Sequence, residues 1–193
     1  MKKLICVFLL AVVLLTSCNG DIGFGSGHTS NPADFGKWNK SFVAEHSFLP
    51  RSLDGFTVNA YSYTYDAYMD ICYEIFVDLT VTKEQLSELI AAARADGRPY
   101  SESAAYYASG YREIVFMDVY EISDYEDGSG DKYVGWADIE KVIYNEETCN
   151  IIYECFHAND TSVYSLSDVA YFKRFGIDEE KYAEGLDTSN PII

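Results

Sequence analysis

Met69-Asp70-Ile71-Cys72-Tyr73-Glu74-Ile75-Phe76-Val77-Asp78-Leu79-Thr80-Val81-Thr82-Lys83-Glu84-Gln85-Leu86 changes its period partway along. From Met69 to Leu79 the apolar residues fall at every second position: Met69, Ile71, Tyr73, Ile75, Val77 and Leu79. Alternation of that length marks a half-buried strand. Thr82 and Gln85 then form a Thr-x-x-Gln capping box, with Val81 and Leu86 at the staple positions around it. Leu86, Leu89, Ile90 and Ala93 follow at helical spacing. Gly97 supplies a left-handed C-terminal residue, and Pro99 forbids continuation. The stretch therefore predicts a strand running directly into a helix over about 83–96.

Working outward, Thr57 to Tyr65 also alternates, with Tyr61, Tyr63 and Tyr65 on one face. The short gap before Met69 implies a hairpin. Tyr111 to Ile122 reads as a third strand. It is apolar on both faces, which suggests a central place in the sheet. Tyr133 to Tyr144 and Asn150 to Phe156 read as two more strands, joined through Asn145–Thr148. Near the end, Ser167 is positioned to cap a helix over Asp168–Phe175, and Asp178 a second over Glu179–Glu184, with Gly176 and Gly185 closing them. The fold class expected is α+β: an antiparallel sheet of about five strands, one packed helix and short C-terminal helices.

The start of the chain carries a different message. Lys2 and Lys3 precede an unbroken apolar run from Leu4 to Leu15, and Leu15-Thr16-Ser17-Cys18 ends it. A run of twelve is a signal h-region, because a spanning helix needs roughly 20 apolar residues. Leu15-Thr16-Ser17-Cys18 resembles the lipobox of bacterial lipoproteins. That resemblance implies cleavage before Cys18, a lipid on its thiol, and a body on the extracytoplasmic face of the membrane. Leu49-Pro50-Arg51-Ser52-Leu53-Asp54, Tyr73-Glu74-Ile75-Phe76 and Leu79-Thr80-Val81-Thr82-Lys83-Glu84 are similar to segments of uncharacterised small lipoproteins of gut Firmicutes. They imply origin and anchoring, nothing catalytic. The domain plan is thus 1–17 signal, 18–33 lipidated cysteine with a Gly-, Ser- and Asn-rich flexible tether, and 34–193 one globular domain.

The formal charge is −17, more negative still once Lys2 and Lys3 leave with the signal. Nucleic acid is excluded as a partner, since phosphate recognition needs basic surface. Anionic headgroups would repel the body. The partners expected are the membrane, through the anchor, and a protein or glycan. After Cys6 and Cys18, three cysteines remain: Cys72, Cys149 and Cys155. Three is odd, so no complete disulfide framework exists within one chain. Cys149 and Cys155, six apart in an extended segment, lie beyond disulfide reach; any bridge would join Cys72 to one of them.

A search for chemistry yields no catalytic residues, no metal ligands and no cofactor site. His28, His46 and His157 lack the spacing of a zinc protease. Gly25-Ser26-Gly27 lacks the hydrolase elbow. Cys155 and His157 share one strand face, but read most simply as a core thiol and a rim histidine. Asp124 to Asp131 crowds carboxylates into a glycine-containing turn, yet its spacing departs from a calcium loop, so a solvated turn is expected. The compositional oddity is seventeen tyrosines. Tyr61, Tyr63 and Tyr65 form a ladder that is a contact surface if exposed and core if covered. The leading functional reading is a lipid-anchored, non-enzymatic binding domain. The alternatives are a cell-wall or glycan hydrolase using paired carboxylates, and an inhibitor or immunity-like domain against a basic partner.

Overall fold

The backbone of this chain is one twisted antiparallel sheet. A computed structural model describes residues 26–37, 46–67, 71–105, 107–123, 133–158, 165 and 167–176. Its strands are β1 (Ser26–Thr29), β2 (Thr57–Ala67), β3 (Ile71–Thr80), β4 (Ser101–Ala104), β5 (Arg112–Ser123), β6 (Tyr133–Asn145) and β7 (Asn150–Ala158). Helix α1 is Lys83–Arg94 and helix α2 is Ala170–Phe175. The strand order is β1-β2-β3-β7-β6-β5-β4, and every neighbouring pair is antiparallel. The class is α+β, dominated by the sheet.

Seven strands stand among the described residues where about five were expected. The five long ones match the alternating segments. The two additions, Ser-Gly-His-Thr and Ser-Glu-Ser-Ala, are four-residue edge strands of small or polar side chains. They form on their neighbour's backbone ladder and bury little, so no hydrophobic period announces them. β1 also corrects the tether boundary. Ser26 to Thr29 pairs with Asp66 to Tyr63, so these four residues of the segment read as tether are a strand. His28 bonds the Thr64 hydroxyl at 3.0 Å there.

Position in the sheet needs a second correction. β5 lies next to the edge strand β4, and the middle strand is β7. All nine residues of β7 except His157 are buried. β5 is apolar on both faces for another reason: Met117 and Val119 remain exposed, at 40% and 39%.

α1 forms as its capping box dictates. Thr82 Oγ1 accepts from the Gln85 N–H, and the Gln85 side chain accepts from the Thr82 N–H at 2.9 Å. Leu86, Ile90 and Ala93 are buried, and Leu89 is partly so. The helix ends at Arg94, two residues early, and Gly97 turns the chain with φ +91°. α2 is shorter than expected and starts at Ala170. Its cap, Val169, has no side chain able to bond the first N–H groups. Glu74 of β3 does that work across the structure, accepting from the Ala170 N–H at 2.6 Å. The helix expected at 179–184 and the acidic turn 124–131 lie outside the described residues.

The sheet separates two apolar clusters. One face joins Tyr61, Tyr63, Ile75, Val77, Leu79, Ile114, Val142 and Tyr153 to α1 and to Phe48, Leu49 and Leu53. The other joins Cys72, Phe76, Ile139, Ile143, Ile152 and Phe156 to Val169, Tyr171 and Phe172. Cys72 and Cys155 thus sit on opposite faces. Cys149 is in the β6–β7 turn, with φ +52°. Cys72, Cys149 and Cys155 form no disulfide, so neither bridge left open by the sequence is made.

Candidate binding face

The tyrosine ladder was the first sequence candidate, and the structure places it inside. Tyr61 and Tyr63 are 5% and 6% exposed, and Tyr65 packs beside them. Phe35 meets Tyr61 edge-on at 5.8 Å between ring centroids. Burial pushes the Tyr63 hydroxyl up to about 12 and raises Tyr61 further. Tyr61 and Tyr63 are core and Tyr65 is partly buried beside them, so the ladder takes the covered alternative and not that of a contact surface. Cys18 lies outside the described residues.

Among the described residues, the α1 face is covered at one end only. Rows of directly opposed residues make this visible, because opposed residues on antiparallel strands share a face. The row Leu79–Ile151–Tyr144 is buried throughout. Three rows further along the same face, Tyr73, His157, Asp138 and Val119 line up across β3, β7, β6 and β5. At about 4.8 Å per strand spacing this row is roughly 14 Å wide. Its exposure rises outward: Tyr73 is half-buried and stacks on His157 at 5.4 Å, while Asp138 and Val119 are open. His157 Nδ1 bonds Asp138 Oδ1, fixing the ring and leaving Nε2 on the outer side of the pair. Met117, on the same face, and Trp136, 36% exposed two residues before Asp138, extend the patch. Among the described residues, four large apolar side chains are so exposed, and three of them sit here.

An ionic cluster borders the patch. His46 Nε2 bonds Glu140 at 3.1 Å, and Arg98 donates to the other Glu140 oxygen at 2.6 Å. Arg98 also pairs with Asp96 and lies over the Phe116 ring at 4.7 Å. Burial raises the Glu140 carboxyl, but its bonds from His46 and Arg98 outweigh that and hold it below the usual value. The cluster pins residues 46–49 and the α1–β4 connection to β6. Sequence reading missed it because 46, 98 and 140 carry no common spacing.

Close by, Cys155 is fully buried, and burial raises its thiol well above the ordinary value, with the charge of Glu140 adding to the effect. A thiol that resists ionisation is not a nucleophile. His157 meanwhile turns to Asp138, so the two neighbours form no dyad.

Carboxylates do converge, but on the opposite face and under α2. Glu74, Glu113, Asp78 and Glu154 are all buried there, with Lys141 among them. Lys141 is ion-paired to Asp118, lies 3.9 Å from Glu113, and donates to the Tyr171 hydroxyl at 3.4 Å. Its burial favours the neutral amine, but the charges of Asp118 and Glu113 outweigh this and keep it an ammonium. Burial, with the charge of Glu74 adding, holds the Glu154 carboxyl well above its usual range, so it is a neutral acid. Neither of its oxygens meets a hydrogen-bond partner among the described residues. Burial also pushes Glu74 up to about 7, against the pull of the Ala170 and Tyr171 N–H groups. Burial thus raises both Glu74 and Glu154, and both are sealed from solvent.

Among the described residues, no three His, Cys, Asp or Glu side chains are grouped to hold a metal ion, and no helix is long and apolar enough to cross a membrane. No protein-family model matches the chain, and no curated protein or solved structure matches it either. The described residues form an α+β sheet domain whose α1 face carries a partly apolar, exposed end.

Proposed function

We propose that this is a lipid-anchored, extracytoplasmic binding domain whose contact surface is the uncovered end of the α1 face, and whose partner is a basic protein. The observation that carries the reading is the cluster of exposed Met117, Val119 and Trp136 around the Tyr73–His157–Asp138 row. Apolar groups gathered in this way, rimmed by polar ones, are the mark of an interaction surface. The formal charge of −17 favours a cationic partner and speeds its encounter. Anchoring rests on the leader and on Cys18. A glycan partner is the second reading, favoured by one feature: an exposed indole beside the hydrogen-bonding pair Asp138 and His157. The hydrolase reading loses ground because the converging carboxylates face the interior.

Two measurements test this. Membrane fractionation of Cys18→Ser is expected to find the protein released or unprocessed; a processed mutant still bound to membranes refutes the anchor. In a Trp38→Phe background, Trp136 emission is expected to stay unchanged on titration with solubilised glycan strands. A saturable change, lost in Asp138→Ala, replaces the protein partner with a glycan.

A further inference from the structure

The opposite face holds a feature that the binding face does not use. Between β2 and α2 lies a groove of about 400 Å³, lined by Ala60, Ser62, Phe76, Ala170, Lys173 and Arg174. It opens where β1 stops: β1 pairs only with Tyr63 to Asp66, leaving the Ala60–Ser62 segment of β2 without a β1 neighbour. Its wall is mostly carbon, with the buried Phe76 ring and two alanine methyls. The Ser62 hydroxyl is buried in that wall without a hydrogen bond of good geometry.

The rim carries two cations in a chain of net charge −17. Arg174 is half committed, since it pairs with the buried Asp78 at 2.8 Å. Lys173 makes no ion pair among the described residues, and its side chain is exposed. Lys173, Arg174 and Asp78 together leave one positive charge at the rim, and Glu74, buried behind Ala170 and raised to about 7, adds a full negative charge only above that pH. The volume falls in the range of small-molecule sites.

We propose that this groove binds a free amphiphilic monoanion, a carboxylate on a short apolar chain, with the carboxylate on Lys173 and Arg174 and the chain along Phe76, Ala60 and Ala170. One net rim charge matches one carboxylate, and the Arg174 fork retains donors beyond those given to Asp78. The carbon-lined trough matches the chain. An inorganic anion would leave that trough empty, and a cation would meet the rim charge.

The test is calorimetric titration of the full chain, held in discs of zwitterionic lipid with empty discs as the blank, with butyrate, hexanoate and octanoate. A single site is expected. Its affinity should rise by up to about fourfold for each methylene that becomes fully buried. Lys173→Glu, at an exposed position, should weaken octanoate by tenfold or more. Ala60→Leu, which fills the trough, should abolish chain-length dependence. The inference is overturned if inorganic phosphate or octylamine binds as tightly as octanoate, or if affinity ignores chain length. It is also overturned if Lys173→Glu leaves octanoate binding unchanged. Phosphatidylglycerol vesicles form the last arm: binding that depends on Lys173 and that octanoate does not displace would make the ligand a lipid headgroup, against the free carboxylate. None of these results bears on the Trp136 face, which lies across the sheet.

Discussion

Replacing Glu74 by glutamine should change how stability depends on pH, and the structure gives the sign and the size. Glu74 is buried at 2% exposure and takes the place of a side-chain cap for α2. Burial raises its carboxyl from 4.5 to about 7. Between those values the unfolded chain has released the proton and the folded chain has kept it. Stability therefore falls as pH rises through this window, and levels off above about 7. At about 1.4 kcal/mol per pH unit, the fall is worth about 3 kcal/mol. That is a large fraction of the 5–15 kcal/mol typical of a folded domain. Glutamine has nearly the same shape and no charge to bury. Urea denaturation of wild type and Glu74→Gln at pH 5, 6, 7 and 8 reads the difference. The two should be close at pH 5, with the mutant more stable by about 3 kcal/mol at pH 8. Parallel pH profiles would refute the reasoning, because they would mean that Glu74 titrates alike in the folded and unfolded chain. Glu102 works in the opposite direction: bonds from Arg94 and Tyr144 hold it down at about 2, so its support is present above 4.5 and lost in acid.

Other substitutions separate the remaining elements. Thr82→Ala should cost about 1 kcal/mol through the lost cap bond, and Ile90→Ala about 2–5 kcal/mol through the cavity it opens. Leu89→Ala should cost less than Ile90→Ala, because Leu89 is only partly buried; the reverse order in urea denaturation would mean that α1 is rotated from the position described. Lys141→Met strands Asp118 and Glu113 beside a missing cation and should cost about 3–5 kcal/mol at neutral pH. Glu154→Leu removes a buried acid without partners and should leave stability unchanged or raise it.

The long strands and α1 were legible because their chemistry is local. Tyr73 to Leu79 alternates because one face meets Leu86 and Ile90, and Thr82 and Gln85 bond each other's backbone within four residues. The short edge strands were not legible, since Ser26–Thr29 and Ser101–Ala104 borrow their order from β2 and β5. The cap of α2 was hidden for the same reason: Ser167 stands near the helix, yet the carboxylate comes from Glu74 in β3. Cover decides the fate of exposed-looking residues, and sequence says little about cover. Tyr61 and Tyr63 lie under the first cluster, while Val119 and Trp136, in strands of similar pattern, stay open. His157 was placed at a strand rim by its position alone, but its partner Asp138 is set by the β6–β7 register.

The most direct test of the binding surface is site-specific photo-crosslinking in intact envelopes. A crosslinker at Val119, in the open row, should yield one discrete adduct with a basic protein. The same group at Ser87, exposed on α1, should yield none. Adding Trp136→Ser should abolish the Val119 adduct in a chain that still unfolds cooperatively in urea. Equal adducts from both positions, or a Val119 adduct indifferent to Trp136, would contradict the assignment of this end of the sheet as the contact surface.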